Sequence, residues 1–263
     1  MSSKVILSVK DLSAGYGNKK VLENINFEIN SNEIVGLLGA NGCGKTTLIK
    51  SLCRIIPHMG EVKIEETEVS SLSVREFAKN CSLVPQKTGI GIDISVLDVV
   101  LMGFNPFLQL LAKPTNDMNY KSLKILEELG IKDRAYDNFQ ELSEGQKQLV
   151  IIARSIVADT RIIFMDEPES SLDFQVRYDA MDMLHRRIIA SNKCALISLH
   201  DINLALKFCD RLLLIKDRNI SSVIDVKNDS ISSIEQKLKS IYGDIKVLSV
   251  TKNNEESFVM VKD

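Results

Sequence analysis

The 263-residue chain contains no tryptophan, and aromatic residues make up only 5% of it. That scarcity leaves no obvious stacking platform for single-stranded nucleic acid. Charge of either sign is not in excess: the formal net charge is −2, with Lys and Arg scattered, so no bulk field draws the chain onto nucleic acid. The short basic cluster His185-Arg186-Arg187 falls in an amphipathic run and reads as a solvated helix face. Cys43, Cys53, Cys81, Cys194 and Cys209 are widely spaced without CxxC pairing. They read as reduced thiols of an intracellular protein, not as a disulfide or zinc framework. No apolar run approaches the ~18 residues that span a bilayer. The start MSSKVILSVK shows neither a hydrophobic core of signal-peptide length nor a small-residue cleavage site, so a cytoplasmic protein is expected.

What is present is ordinary globular composition, 44% apolar and 26% charged, with length for one large domain or a main domain and a subdomain. No internal repeat is visible. The first thirty residues alternate short apolar segments with the turn AGYGNKK, as antiparallel sheet does. EIVGLLG is a continuous apolar run of the buried-strand kind. A helix is expected beyond it, with Leu48, Leu52, Ile55 and Ile56 on one face. CSLVPQ reads as a strand stopped by Pro85. Residues 95–158 read as mainly helical, broken by the loop AKPTND. The last helix there has Leu149, Ile152, Ala153 and Ile156 at helical spacing. Then RIIFMD, CALISL and RLLLIK alternate with helices, which implies parallel strands with crossover helices. A final hairpin and a tail of one helix and two strands follow.

GANGCGKTT (residues 39–47) matches G-x-x-x-x-G-K-[ST] between a buried-strand pattern and a helix, the context the motif requires. Gly39, Gly42 and Gly44, with Asn41 between them, let backbone N–H groups turn toward phosphate oxygens, and the helix N-terminus adds favourable partial charge. Lys45 is placed to reach the β- and γ-phosphates, Thr46 to ligate Mg²⁺ and Thr47 to bond a phosphate oxygen. Cys43 is a variable position, either a spacer or a thiol activated by the helix N-terminus.

RIIFMDEP (161–168) puts two acids at the end of a buried strand. Asp166 suits Mg²⁺, through water, since that ion keeps much of its hydration shell. Glu167 suits a general base that polarises an attacking water. In ELSEGQKQ (141–148), Ser143 and Gln146 have the spacing of a capping box. Gly145 costs up to ~1 kcal/mol relative to Ala inside a first turn, which suggests a backbone kept bare for a phosphate.

Together these motifs resemble the ATP-binding subunits of ABC transporters, over roughly residues 4–223. LSEGQ, with Ser143, Gly145 and Gln146, looks like that family's LSGGQ signature. Gln86 in VPQ resembles the Q-loop glutamine, SSLD ending at Asp173 the D-loop, and His200 in SLHD the switch histidine. Tyr16 in AGYG resembles the aromatic that stacks on adenine, though between two glycines it is also a turn residue. The resemblance implies an α/β fold: a P-loop NTPase (RecA-like) core with an antiparallel β subdomain and an inserted helical subdomain. It places an ABC ATP-binding domain at 1–225, its helical subdomain at about 88–158, and a small C-terminal extension at 226–263.

It further implies ATP and Mg²⁺ as cofactors, with Thr46, Gln86 and Asp166 around the metal. Glu167, His200 and Gln86 are the catalytic set, with Gln86 sensing the γ-phosphate. The subunit would work as a head-to-tail pair, most simply a homodimer, with each ATP between the phosphate loop of one copy and the signature of the other. Separate transmembrane permease subunits, an extracytoplasmic substrate-binding protein, no nucleic acid and peripheral attachment to the inner membrane face complete the expectation. VLDVVLMGFNPFL (96–108) and the IYG segment (241–243) are similar to the iron–siderophore and cobalamin importer branch, although Phe104 stands where that branch has Arg. A soluble ABC ATPase of the iron–sulfur assembly type would carry the same motifs without a membrane partner. Glu144, Glu169 and the turn Asp217-Arg218-Asn219 depart from the family pattern. The two carboxylates bear on nucleotide affinity, and Asn219 is the residue expected to tolerate a left-handed turn.

Overall fold

The computed structural model describes residues 4–262 apart from 88, 110, 253 and 254, so the expected start of the helical insertion, residue 88, lies outside the described residues. β1 (Val5–Tyr16) and β2 (Lys19–Asn30) form an antiparallel hairpin whose turn narrows to Gly17 and Asn18, with Gly17 at φ 56°. β3 (Glu33–Leu38), buried at every residue, leads through the glycine turn into α1 (Lys45–Leu52). β4 (His58–Ile64) and β5 (Thr67–Glu68) extend the hairpin into an antiparallel sheet of order β2-β1-β4-β5. α2 (Val74–Asn80) opens on a capping box from Ser73 and Glu76 and leads into β6 (Cys81–Val84).

Among the described residues, three α-helices, α3 (Val96–Leu101), α4 (Asn116–Glu128) and α5 (Glu144–Val157), separate β6 from β7 (Ile162–Asp166). α6 (Phe174–Ala190), β8 (Cys194–Ser198), α7 (Ile202–Phe208), β9 (Arg211–Lys216) and β10 (Asn219–Asp225) follow. The main sheet has the order β10-β9-β3-β8-β7-β6; every pairing in it is parallel except β9–β10. β10 is antiparallel because only Asp217 (φ 50°) and Arg218 (φ 68°) separate it from β9. Two left-handed residues make the tight turn whose twist suits a hairpin. The left-handed positions are thus Asp217 and Arg218, while Asn219 already lies in β10.

The period of two in each central strand divides the core. Ile163 and Met165 of β7, Ala195 and Ile197 of β8, and Leu212 and Leu214 of β9 face the helices. Ile162, Phe164, Cys194, Leu196, Leu213 and Ile215 face α1 and the antiparallel sheet. Burial of both faces explains why these strands read as unbroken apolar runs.

α1 is shorter than its apolar spacing predicts. Arg54 turns left-handed (φ 58°), with Arg54 N donating to Ser51 O and Ile55 N to Lys50 O. This 5→2 and 6→1 pair is a Schellman stop, and it leaves Ile55 56% exposed. α8 (Ile231–Tyr242), β11 (Ile245–Lys252) and β12 (Glu255–Lys262) close the chain, with β11 and β12 as a separate hairpin. Ile234, Leu238, Ile245 and Val247 join the core cluster under the helices, so this unit is packed on the main sheet.

Candidate active site

The main sheet carries β3, β8 and β7 side by side, so the loops at their carboxyl ends meet. From β3 comes the glycine turn. Gly44 sits at φ 116°, where an added Cβ would come within 2.7 Å of Leu22 Cδ2. Gly44 is the N-cap of α1 and offers no side-chain bond to the helix, so the first N–H groups of α1 remain available to an anion. Lys45 is 5% exposed, and its Nζ donates to Gly39 O at 3.0 Å. An ammonium drawn over the turn in this way adds positive charge beside the uncapped N-terminus of α1.

From β7 come the two acids. The Asp166 carboxylate accepts from Thr46 Oγ1 at 3.1 Å and from Ser198 Oγ at 2.8 Å. Glu167 follows in a left-handed conformation (φ 51°) and is 7% exposed. Its N–H donates to Ser198 Oγ at 2.9 Å, so one serine hydroxyl ties both acidic residues to β8. The register Asp166↔Ser198 explains why. Ser198 was missed in the sequence; its only signal is a hydroxyl in the otherwise apolar CALISL.

The Glu167 side chain is held from two directions. Oε2 accepts from Gln86 Nε2 at 2.5 Å, and Oε1 lies 2.5 Å from His200 Nε2. Gln86 stands just past β6 and His200 just past β8, so three strand ends deliver three interacting side chains. A cavity of about 350 Å³ is lined by Asn41, Gly42, Gly44, Lys45, Thr46, Thr47, Gln86, Glu167 and His200. Thr46 and Gln86 also border a neighbouring hollow of about 230 Å³ with Asp166. A hydroxyl, a carboxylate and an amide grouped there are the oxygen donors a hard cation takes, so these residues fit Mg²⁺.

The remaining expected residues lie outside that cavity lining. Tyr16 is 49% exposed at the end of β1, and Gly39 forms the base of the loop. Asp173 is exposed at the N-cap of α6 without a capping bond. Ser143 and Gln146 form both halves of the expected capping box at α5: Ser143 N donates to Gln146 Oε1 at 3.0 Å and Gln146 N to Ser143 Oγ at 3.3 Å. Gly145 has a reason within its own chain, because an added Cβ would stand 2.8 Å from Ser171 O.

The two extra carboxylates point elsewhere than at the phosphate turn. Glu144 is exposed and pairs with Lys147 at 3.0 Å. Glu169 is 3% exposed, and its Oε1 accepts from His200 N at 2.8 Å. Burial pushes its carboxyl above the usual range, against the N–H donors of His200 and of its own backbone. Sequence reasoning left this partner unseen, since residues 169 and 200 meet only through the β7–β8 pairing.

An uncapped helix behind a glycine turn, faced by a carboxylate that two N–H groups aim into the same cavity, is the apparatus of a P-loop nucleoside triphosphatase. The comparisons narrow that class. The ABC transporter family model matches residues 22–170. A phosphonates import ATP-binding protein of Fusobacterium nucleatum is 34% identical over 244 residues, covering 89% of this chain and 99% of its own. A protein of Helicobacter pylori described as a probable iron chelatin transport ATP-binding protein is 30% identical, covering 93% and 98%. Among solved structures, a metal-chelate type ABC transporter in an inward-facing conformation superposes with TM-score 0.80 at 25% identity, covering 98% of this chain and 97% of that one. The chain belongs to the ABC transporter family as an ATP-binding subunit with ATPase activity.

Proposed function

We propose that the chain energises an ABC importer for iron–siderophore, haem or cobalamin complexes, working as one of a pair of ATP-binding subunits, most simply two copies of itself. The pair attaches to the inner face of the cell membrane through separate permease subunits, which an extracytoplasmic binding protein supplies. Among the described residues no helix is long and apolar enough to cross a membrane, so the path for cargo belongs to other chains. The iron chelatin and metal-chelate relatives support this cargo class, and the phosphonate relative names its rival.

The observation that carries the reading is the division of the motifs. The phosphate turn, Gln86, Glu167 and His200 share one cavity, while Ser143, Gly145, Gln146 and Asp173 are absent from its lining. A second subunit presenting its own Ser143–Gln146 turn completes the site. The β- and γ-phosphates of ATP lie on the N–H groups of residues 41–47, with Lys45 neutralising charge and Tyr16 against adenine. Thr46, Asp166 and Gln86 would hold magnesium, which would supply Lewis-acid screening of the phosphate oxygens.

Glu167 accepts a proton from water as the water oxygen bonds to the γ-phosphorus, and the bond from that phosphorus to the β–γ bridging oxygen breaks, releasing ADP. The two donors now on Glu167 exchange partners when ATP arrives: His200 turns to the γ-phosphate, and Gln86 reports its presence. This frees the carboxylate to act as base.

Mixing Lys45→Ala chains with Ser143→Arg chains tests the shared site. Each mutant is inactive alone, and the mixture regains activity through pairs holding one intact site. A mixture as inactive as either parent overturns the paired arrangement. Reconstitution in liposomes with the permease tests cargo: iron-chelate-loaded binding protein stimulates ATPase activity, whereas phosphonate-loaded protein does not.

A further inference from the structure

Residues beyond the family-model match hold both sides of the cavity at once. On one side, α7 begins two residues after His200, and its Asn203 makes a two-point bond to β12. Met260 N donates to Asn203 Oδ1 at 2.7 Å, and Asn203 Nδ2 donates to Met260 O at 3.3 Å. Asn203 thereby takes the place of a missing strand neighbour for Met260. On the other side, Tyr242 ends α8 with its hydroxyl at the backbone of Gly39, the base of the phosphate turn. Lys216 Nζ donates to Ser240 O at 2.9 Å, tying the same end of α8 to β9. Between these contacts the unit is bonded and packed within itself. Val247 N donates to Glu235 Oε2 at 2.9 Å, locking β11 on α8, and Leu238 and Val247 are buried.

We propose that α8, β11 and β12 form a brace that sets His200 relative to the phosphate turn, with Asn203 and Tyr242 as positioning residues for hydrolysis. The proposal rests on the role given to His200 above. α7 has only seven residues, and a helix that short takes its position from what it packs on. Without the brace, the loop from Ser198 to Asp201 keeps its ties to Asp166, Glu167, Glu169 and Arg177, but α7 behind it loses its bonds to β12. Misplacement of a reacting group by ~1 Å costs about 10²-fold in rate, so a loosened α7 lowers turnover more than it lowers nucleotide binding. Tyr242 acts from the opposite side, and its ring stays packed when only the hydroxyl is removed.

Steady-state ATPase assays on Asn203→Ala, Tyr242→Phe, His200→Ala and the double variant Asn203→Ala/His200→Ala test this. Asn203→Ala is expected to lower kcat roughly tenfold, and Tyr242→Phe roughly threefold, with the KM for ATP changed less than about twofold. In the His200→Ala background, Asn203→Ala has no further effect, because its contribution passes through His200. Hydrogen exchange at residues 199–205 quickens in Asn203→Ala while β3 stays protected, a readout independent of residual activity. Equal losses in both backgrounds, or unchanged kcat and exchange, overturn the brace. A fully active His200→Ala variant overturns the role of His200 itself. An impaired His200→Ala variant beside a normal Asn203→Ala variant overturns only the brace.

Discussion

The helices that open at Lys45 and at Glu144 both follow turns expected to meet phosphate, yet they treat their first N–H groups in opposite ways. α1 starts on a left-handed glycine with no side-chain cap. α5 starts on Ser143 with both bonds of a capping box made. The first terminus leaves its donors uncapped beside a buried lysine; the second has the N–H groups of Ser143 and Gln146 capped and stands exposed. An uncapped helix end is a phosphate site waiting for its ligand. A capped one is stabilised without a ligand. The contrast fits a subunit that owns one half of a site and lends the other half.

Glu167→Gln strikes the first of these regions hardest. Turnover falls by roughly 10²–10⁴ if the carboxylate is the base, while ATP binding persists because no phosphate-turn group changes. Single-turnover hydrolysis together with nucleotide binding separates the two effects. Ser143→Ala sharpens the second region. Losing the cap costs about 1 kcal/mol of stability, read by denaturant melting, whereas the same loss is impossible at Gly44, where no cap exists to remove.

Glu169→Gln is the mildest change and is dependent on pH. Burial raises the folded-state carboxyl above its unfolded value, so its favourable contribution is full below the unfolded value and lost as pH rises through the folded one. Glutamine keeps an acceptor for His200 N and has no charge to bury. The variant should melt at the wild-type temperature near about pH 4 and above it near about pH 7. A difference independent of pH counts against the buried charge.

Much of this was legible in the residues. Unbroken apolar runs marked β3, β7 and β8, because a strand covered on both faces has no polar side to alternate with. Nine expected site residues line one cavity, since motifs at the ends of adjacent parallel strands are brought together by the sheet. What stayed hidden depended on pairings that no local pattern carries. The Schellman stop after Leu52 turns on Arg54, a residue type with no preference for left-handed backbone. The roles of Ser198, Glu169 and Asn203 depend on strand register and on the docking of β12. Gly145, read as room for phosphate, also makes room for the carbonyl of Ser171.

The left-handed backbone of Glu167 has a consequence for how the site persists through mutation. A non-glycine residue in a sparsely populated conformation costs of order 1–3 kcal/mol, and glycine there would be free of that strain. That glycine would also lose the contacts to Gln86 and His200, the two side chains that hold the strained residue in place. Residue 167 is therefore a point where backbone strain is exchanged for side-chain contacts inside the cavity.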